Sequence, residues 1–210
     1  TLSFTAPAEA ATSQKPATTP PIPVDDNVDY AQEMVSLLSS MKTYAKKKNP
    51  GFAMISNGGY HLYAPKAVTQ TAMLNAIDGA LIEEVFDDND SSAMKKALQA
   101  AMNKGKKAFD IEYDGGKHVY DDAAADLGIL CYSSEEDDLS TIPAFTAEKY
   151  DSSKLADVNN FMAILDPENF SSKTDYLNAL RNTDYDLIFV DLFFGEDSAG
   201  NPKPLSKSED

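Results

Sequence analysis

Four acids fall where apolar runs of the chain end. Glu83 closes IDGALIE, Glu112 lies in KAFDIEYD, Asp166 in FMAILD and Asp191 in YDLIFVD. Brought together, such carboxylates can coordinate a hard cation, hold a cationic substrate, or work as a pair around a glycosidic bond. The cation has little else in its favour, because the acidic run DDND at 87–90 lacks the spaced D-x-[DN]-x-[DN]-G ligand pattern and its distal Glu. That run reads as a solvated loop. His61 and His118 have no partners at zinc-ligand spacing, so no metal site is expected. No GxSxG elbow presents a serine nucleophile. With neither GxGxxG nor GxxxxGK[ST] to cradle phosphates, the sequence calls for no cofactor. Tyr60, Tyr63, Tyr113, Tyr132 and Phe194 lie near the same run ends, where aromatic faces either stack on sugar rings or pack the core.

The acids can meet only if the elements carrying them run side by side in one direction. After Asp25, Asp26 or Asn27 as N-cap, Val28, Ala31, Met34, Leu37, Leu38, Met41 and Ala45 recur at three- and four-residue steps, which predicts an amphipathic helix stopped by Asn49-Pro50-Gly51. The strand FAMISN follows and exits into Gly58-Gly59. The alternation continues with a short helix near 67–75, the strand IDGALIEEVF, and a helix from about Ser92 to Asn103 stopped by Gly105. Then come the strand KAFDIEYD, a helical turn capped by Gly128, and the strand ILCYSS. The polar stretch 135–155 reads as a connector before FMAILD, a helix capped by Ser171 or Ser172, and the strand YDLIFVDLFF. Strands separated by helices imply parallel pairing with right-handed crossovers, and continuous rather than alternating apolar runs fit burial on both faces. The class is α/β, either a doubly wound sheet or a (β/α)8 barrel, and in a barrel the carboxyl ends of all strands share one face. Residues 1–24, rich in Ala, Thr and Pro, read as a linker or surface loop, 25–194 as the folded domain, and 195–210 as a loop or tail.

With 210 residues, 42% of them hydrophobic, the chain can bury a substantial core. Thirty-four acids against 18 Lys and Arg give a formal charge of −16, a field that repels nucleic acid and anionic membrane surfaces and suits neutral or cationic partners. The single cysteine, Cys131, reads as a small buried thiol and excludes an intrachain disulfide. No apolar run is long enough to span a bilayer.

Five stretches together resemble a known family. They are AKKKNPGFAMISNGG, IDGALIEEVF, GKKAFDIEYD, LGILCYSS and NNFMAILDPENFSSKTDYLNALRNTDYDLIFVDLFF, covering most of residues 28–194. The family is the glycoside-hydrolase-like (β/α)8 barrels related to endo-α-1,4-polygalactosaminidase. The resemblance implies a parallel TIM-barrel-like fold with about six of eight strands recognisable in this chain, in permuted order. The stretch that opens the barrel in the family comes last here, so the chain carries strands five to eight followed by one and two. The third strand, which would end in a Ser-Ile-Gly-Glu-Ala-Glu-like motif, and the fourth, which would bring the aspartate paired with the strand-six glutamate, are not recognisable. The 210 residues also fall short of the ~250 typical of the barrel. The chain is therefore expected to continue into further sequence, to be completed by a second chain, or to be an incomplete relative with a different fold. Open strand edges favour the first two.

The resemblance also implies roles. Glu83 would be the general acid or its counterpart carboxylate, with Asn57 and Tyr113 hydrogen-bonding or stacking on the sugar, and Glu112 and Asp191 shaping an acidic floor. Glu84, the neighbour of Glu83, would face the helix layer. The implied substrate is an amino-sugar-containing polysaccharide, and the implied location is extracellular or in the cell envelope. A non-catalytic saccharide-binding or scaffold barrel is the alternative, motivated by the missing paired aspartate.

Overall fold

The computed structural model describes residues 2–4, 27–143, 154–196 and 202–204. Leu2–Phe4 (β1) runs parallel to Met54–Asn57 (β2), pairing Leu2 with Met54. These three residues lie in the segment expected to be a linker, whereas residues 5–24 are outside the described ones. β2 pairs parallel with Gly79–Glu83 (β3), β3 with Lys107–Glu112 (β4), and β4 with Leu130–Ser133 (β5), giving one parallel sheet in sequence order. Phe161–Ile164 (β6) and Leu187–Val190 (β7) form a second parallel pair. Phe193–Glu196 (β8) and Pro202–Pro204 (β9) pair antiparallel, so the expected tail is in part a short ribbon. The α/β class and the parallel pairing hold, but the described strands do not close into an eight-stranded barrel.

The helices sit where the apolar periodicity puts them. α1 (Tyr30–Lys48) is capped by Asp29, whose side chain accepts from Gln32 N–H, rather than by Asp25, Asp26 or Asn27. It ends at Asn49, ahead of a proline that cannot continue it. α2 (Gln70–Ala76), α3 (Ser91–Met102) and α4 (Asp121–Leu127) each precede a strand of the first sheet, and α5 (Lys173–Arg181), capped by Ser172, connects β6 to β7. Gly128 ends α4 at φ 77°, the left-handed conformation a glycine adopts without a Cβ penalty.

Alternation along the strands sorts the interior into two layers. Ala80, Ile82 and Ala108 point outward and pack with Val35, Met73, Leu74, Met94, Ala97, Leu98 and Ala101 of α1, α2 and α3. Ile55, Leu81, Phe109, Ile111 and Tyr132 point the other way, into a core shared with Phe161, Ala163 and Phe189 of the second sheet. Phe109, Phe161 and Phe189 touch one another edge-to-face with centroids 5.1 to 5.6 Å apart, so β4 faces β6 and β7 across a common interior. Gly79 makes room for this, since a Cβ there would stand 3.2 Å from Ile55, from the Phe109 ring and from the Lys107 carbonyl. At the opposite ends of the strands, Asp78 ties the sheet to α1 by accepting from Met54 N–H at 3.0 Å and pairing with Lys42 at 2.8 Å. Burial works against its charge, but Lys42 and the Met54 N–H outweigh it and hold the carboxyl below its usual range.

Candidate active site

At the carboxyl ends of β2, β3 and β4, three side chains converge. Asn57, Glu83 and Tyr113 all follow inward-pointing positions, namely Ile55, Leu81 and Ile111, by two residues, and the period of two turns all three to the inner face. Asn57 Nδ2 donates to Glu83 Oε1 at 2.9 Å, and the Tyr113 hydroxyl donates to Oε2 at 2.8 Å. All three side chains are half-buried, open enough to meet a ligand and enclosed enough to be held. Burial first, then the charge of Glu83 and the hydrogen bond to it, pushes the Tyr113 phenol well above its ordinary range, so it stays protonated as a donor. Asn57 also borders a cavity of about 570 Å³ between α1 and β2, lined by Met34, Leu38, Ile55 and His61 among others.

The backbone around this trio is fixed by specific turns. Gly58 and Gly59 adopt φ of 69° and 64°, so the chain leaves β2 sharply just after Asn57, while Gly58 N–H still reaches the Leu81 carbonyl at 2.8 Å. Glu84 is left-handed at φ 57°, which for a residue with a Cβ costs roughly 1–2 kcal/mol. Its N–H completes the ladder on Ile111 O, after which Val85 turns into the core. Beyond Tyr113, Asp114 organises the next loop by accepting from Lys117 N–H, Val119 N–H and the Ser133 hydroxyl.

The other expected members of the site are elsewhere. Glu112 is one residue out of phase with Tyr113, so it points to the helix side rather than onto a shared acidic floor. It is 1% exposed there, and its Oε1 accepts from Phe86 N–H at 2.7 Å. Asp191 is exposed beyond the end of β7, accepting from Phe193 N–H at 3.3 Å, and no described contact joins it to Glu83. Glu84, expected to face the helices, is exposed because the left-handed turn has already taken it out of the strand. Asp166 follows β6, half-buried, with its N–H toward Leu139 O. Of the five aromatics, Tyr63 and Tyr132 are core residues, Tyr60 donates to Asp90, and Phe194 packs on Tyr176, which leaves Tyr113 at Glu83. The run 87–90 is exposed, as expected of a solvated loop, and no cluster among the described residues is suited to a metal ion.

Asp110 is the residue the motifs did not single out. It precedes Glu112 by two on the same outward face of β4 and is fully buried, and its Oδ1 accepts from Val85 N–H at 3.3 Å. Its carboxyl is pushed up to about 8, by burial first and by the Glu112 charge second. The signal was present in D-I-E, since two acids at a spacing of two on a doubly buried strand must share a sealed face. No protein-family model matches the chain, and no curated protein matches it either. No helix among the described residues is long and apolar enough to cross a membrane.

Proposed function

We propose that the protein acts on an amino-sugar-containing polysaccharide as an endo-α-1,4-polygalactosaminidase-like glycoside hydrolase, on an incomplete and permuted (β/α)8 barrel with Glu83 in its site. The observation that carries the proposal is the convergence of Asn57, Glu83 and Tyr113 at the carboxyl ends of three adjacent parallel strands. This is the end at which parallel barrels build their sites. The remainder of the barrel is supplied by further sequence or by a second chain.

Two-carboxylate hydrolysis divides its labour. One group protonates the leaving oxygen, and the other stabilises or attacks the oxocarbenium-like carbon. Because both Glu83 oxygens accept hydrogen bonds, the arrangement fits Glu83 to the second role, as the ionised counterpart, better than to the proton donor. The acid partner would stand about 5–5.5 Å away in a retaining enzyme and about 6.5–9.5 Å away in an inverting one. Neither separation leaves the partner in hydrogen-bond contact with Glu83. Asn57 and Tyr113 orient the carboxylate and offer an amide and an aromatic face to the sugar, and the net charge of −16 favours a cationic glycan over an anionic one.

Release of reducing ends from α-1,4-linked polygalactosamine tests this directly. Glu83→Gln keeps the shape and removes the charge, and should lower the rate by about 10²-fold or more. Unchanged release by that variant would refute the role. A saccharide-binding protein without hydrolysis is the second reading, favoured because both described hydrogen bonds to Glu83 come from neutral side chains and none from a second carboxyl group. Retention on the polymer with no reducing ends released, weakened by Asn57→Ala, would decide for it.

A further inference from the structure

A carboxyl group buried without a cation has one inexpensive way to remain there, which is to carry a proton. Asp110 is in that position. It is 0% exposed, its Oδ1 accepts a long hydrogen bond from Val85 N–H, the Cys131 thiol stands beside it as a weak donor, and Oδ2 has no hydrogen-bond partner of its own. Glu112 lies on the same face two residues on, equally sealed but better served by the short bond from Phe86 N–H. No described salt bridge involves either group. The neighbours add negative charge. Cys131 faces Asp110 from β5 with its thiol pushed up by burial and then by Asp110 itself, Asp121 approaches from α4, and Glu84 and Asp87 act on Glu112 from the turn after β3. Lys95 of α3 lies over the Phe86 ring at 4.0 Å and makes no described ion pair with either acid. In such surroundings two ionised carboxylates two residues apart repel strongly, and one shared proton relieves both.

We propose that Asp110 holds a proton on Oδ2 and donates it to the Glu112 carboxylate, and that this acid–carboxylate pair is the positioning element for Glu83. The pair takes hold of the N–H groups of Val85 and Phe86, the two residues that follow the left-handed Glu84. Those bonds fix where β3 stops and how Glu83 meets Asn57 and Tyr113. The upward displacement of Asp110 to about 8 agrees with the assignment. The positioning role rests on Glu83 being the working carboxylate, but its test uses no substrate, so failure of the glycosidase reading would leave the outcome legible.

Infrared spectroscopy of the full chain should show a buried protonated-carboxyl band at neutral pH that titrates near pH 8 and is absent from Asp110→Asn. The asparagine amide still donates to Glu112, so in this variant the NMR signal of the Asn57 side-chain amide should stay in place. In Asp110→Ala, which leaves Glu112 without its donor, the Val85 and Phe86 amides should exchange about tenfold faster and the Asn57 signal should move. Absence of the band in the wild-type protein overturns the proton assignment. An unmoved Asn57 signal in Asp110→Ala overturns the positioning role. If Asp110→Ala does not fold, the wild-type band decides the first point, and a displaced Asn57 signal in Asp110→Asn overturns the second.

Discussion

The two faces of β3 and β4 each carry carboxylates near the same end of the same strands, and they treat them in opposite ways. On the inner face Glu83 is half-buried, with both oxygens engaged by the neutral donors Asn57 and Tyr113. On the outer face Asp110 and Glu112 are sealed beneath a turn, holding backbone N–H groups. A shift of one residue along a strand thus separates a carboxylate that can meet a ligand from one that can act only as a strap. Residue type alone assigns neither role, because access to water decides what a carboxylate can do.

The largest expected effect sharpens that contrast. Glu112→Ala removes the acceptor of Phe86 N–H and the partner of Asp110, and should cost about 2–4 kcal/mol in denaturant unfolding. Glu83→Ala, on the open face, should stay within about 1 kcal/mol. Equal costs would break the comparison. Next in size is the pH dependence. Since the Asp110 carboxyl is raised in the folded state, folding takes up a proton, and the resulting stabilisation is complete below about pH 4 and lost progressively as pH rises toward about 8. The Asp110 share of the slope cannot exceed ~1.4 kcal/mol per pH unit and should be lost in Asp110→Asn, leaving that of Glu112, whose carboxyl burial also raises. Asp78, at the other end of the sheet, runs with the opposite sign. Its lowered carboxyl contributes stability above its unfolded value of 3.8 that is lost as pH falls through the folded one, so Asp78→Asn should flatten only the acid limb of the same titration. The smallest effect is expected of Tyr113→Phe, which deletes one partly exposed hydroxyl and should change stability by less than about 1 kcal/mol while freeing one Glu83 oxygen.

Much of the fold was legible because it is periodic. The helix from Tyr30, the Gly105 and Gly128 stops and the Ser172 cap follow from local rules, and strands spaced by helices imply parallel pairing whatever the rest of the molecule does. The α1 cap was misplaced by a few residues because several Asx residues in a row offer equivalent caps, and only backbone geometry selects Asp29. The site was partly legible. Strand ends named Glu83 and Tyr113, and the family resemblance added Asn57, but the assignment of both Glu112 and Tyr113 to one pocket ignored the alternation that puts adjacent side chains on opposite faces. Asp191 was beyond sequence rules of this kind, since the direction a residue takes after a strand ends depends on the turn that follows.

The order of apolar runs and breakers along this chain was enough to dictate an α/β protein with parallel strands, because propensity, capping and periodicity act over a few residues. Which carboxylates stay open to a ligand and which are sealed was decided by the tertiary structure. The packing that sets Phe109 edge-to-face against Phe161 and Phe189, and the left-handed turn at Glu84 that exposes this acid while Val85 beside it is buried, arise from contacts between segments far apart in sequence, whose energies no local pattern encodes.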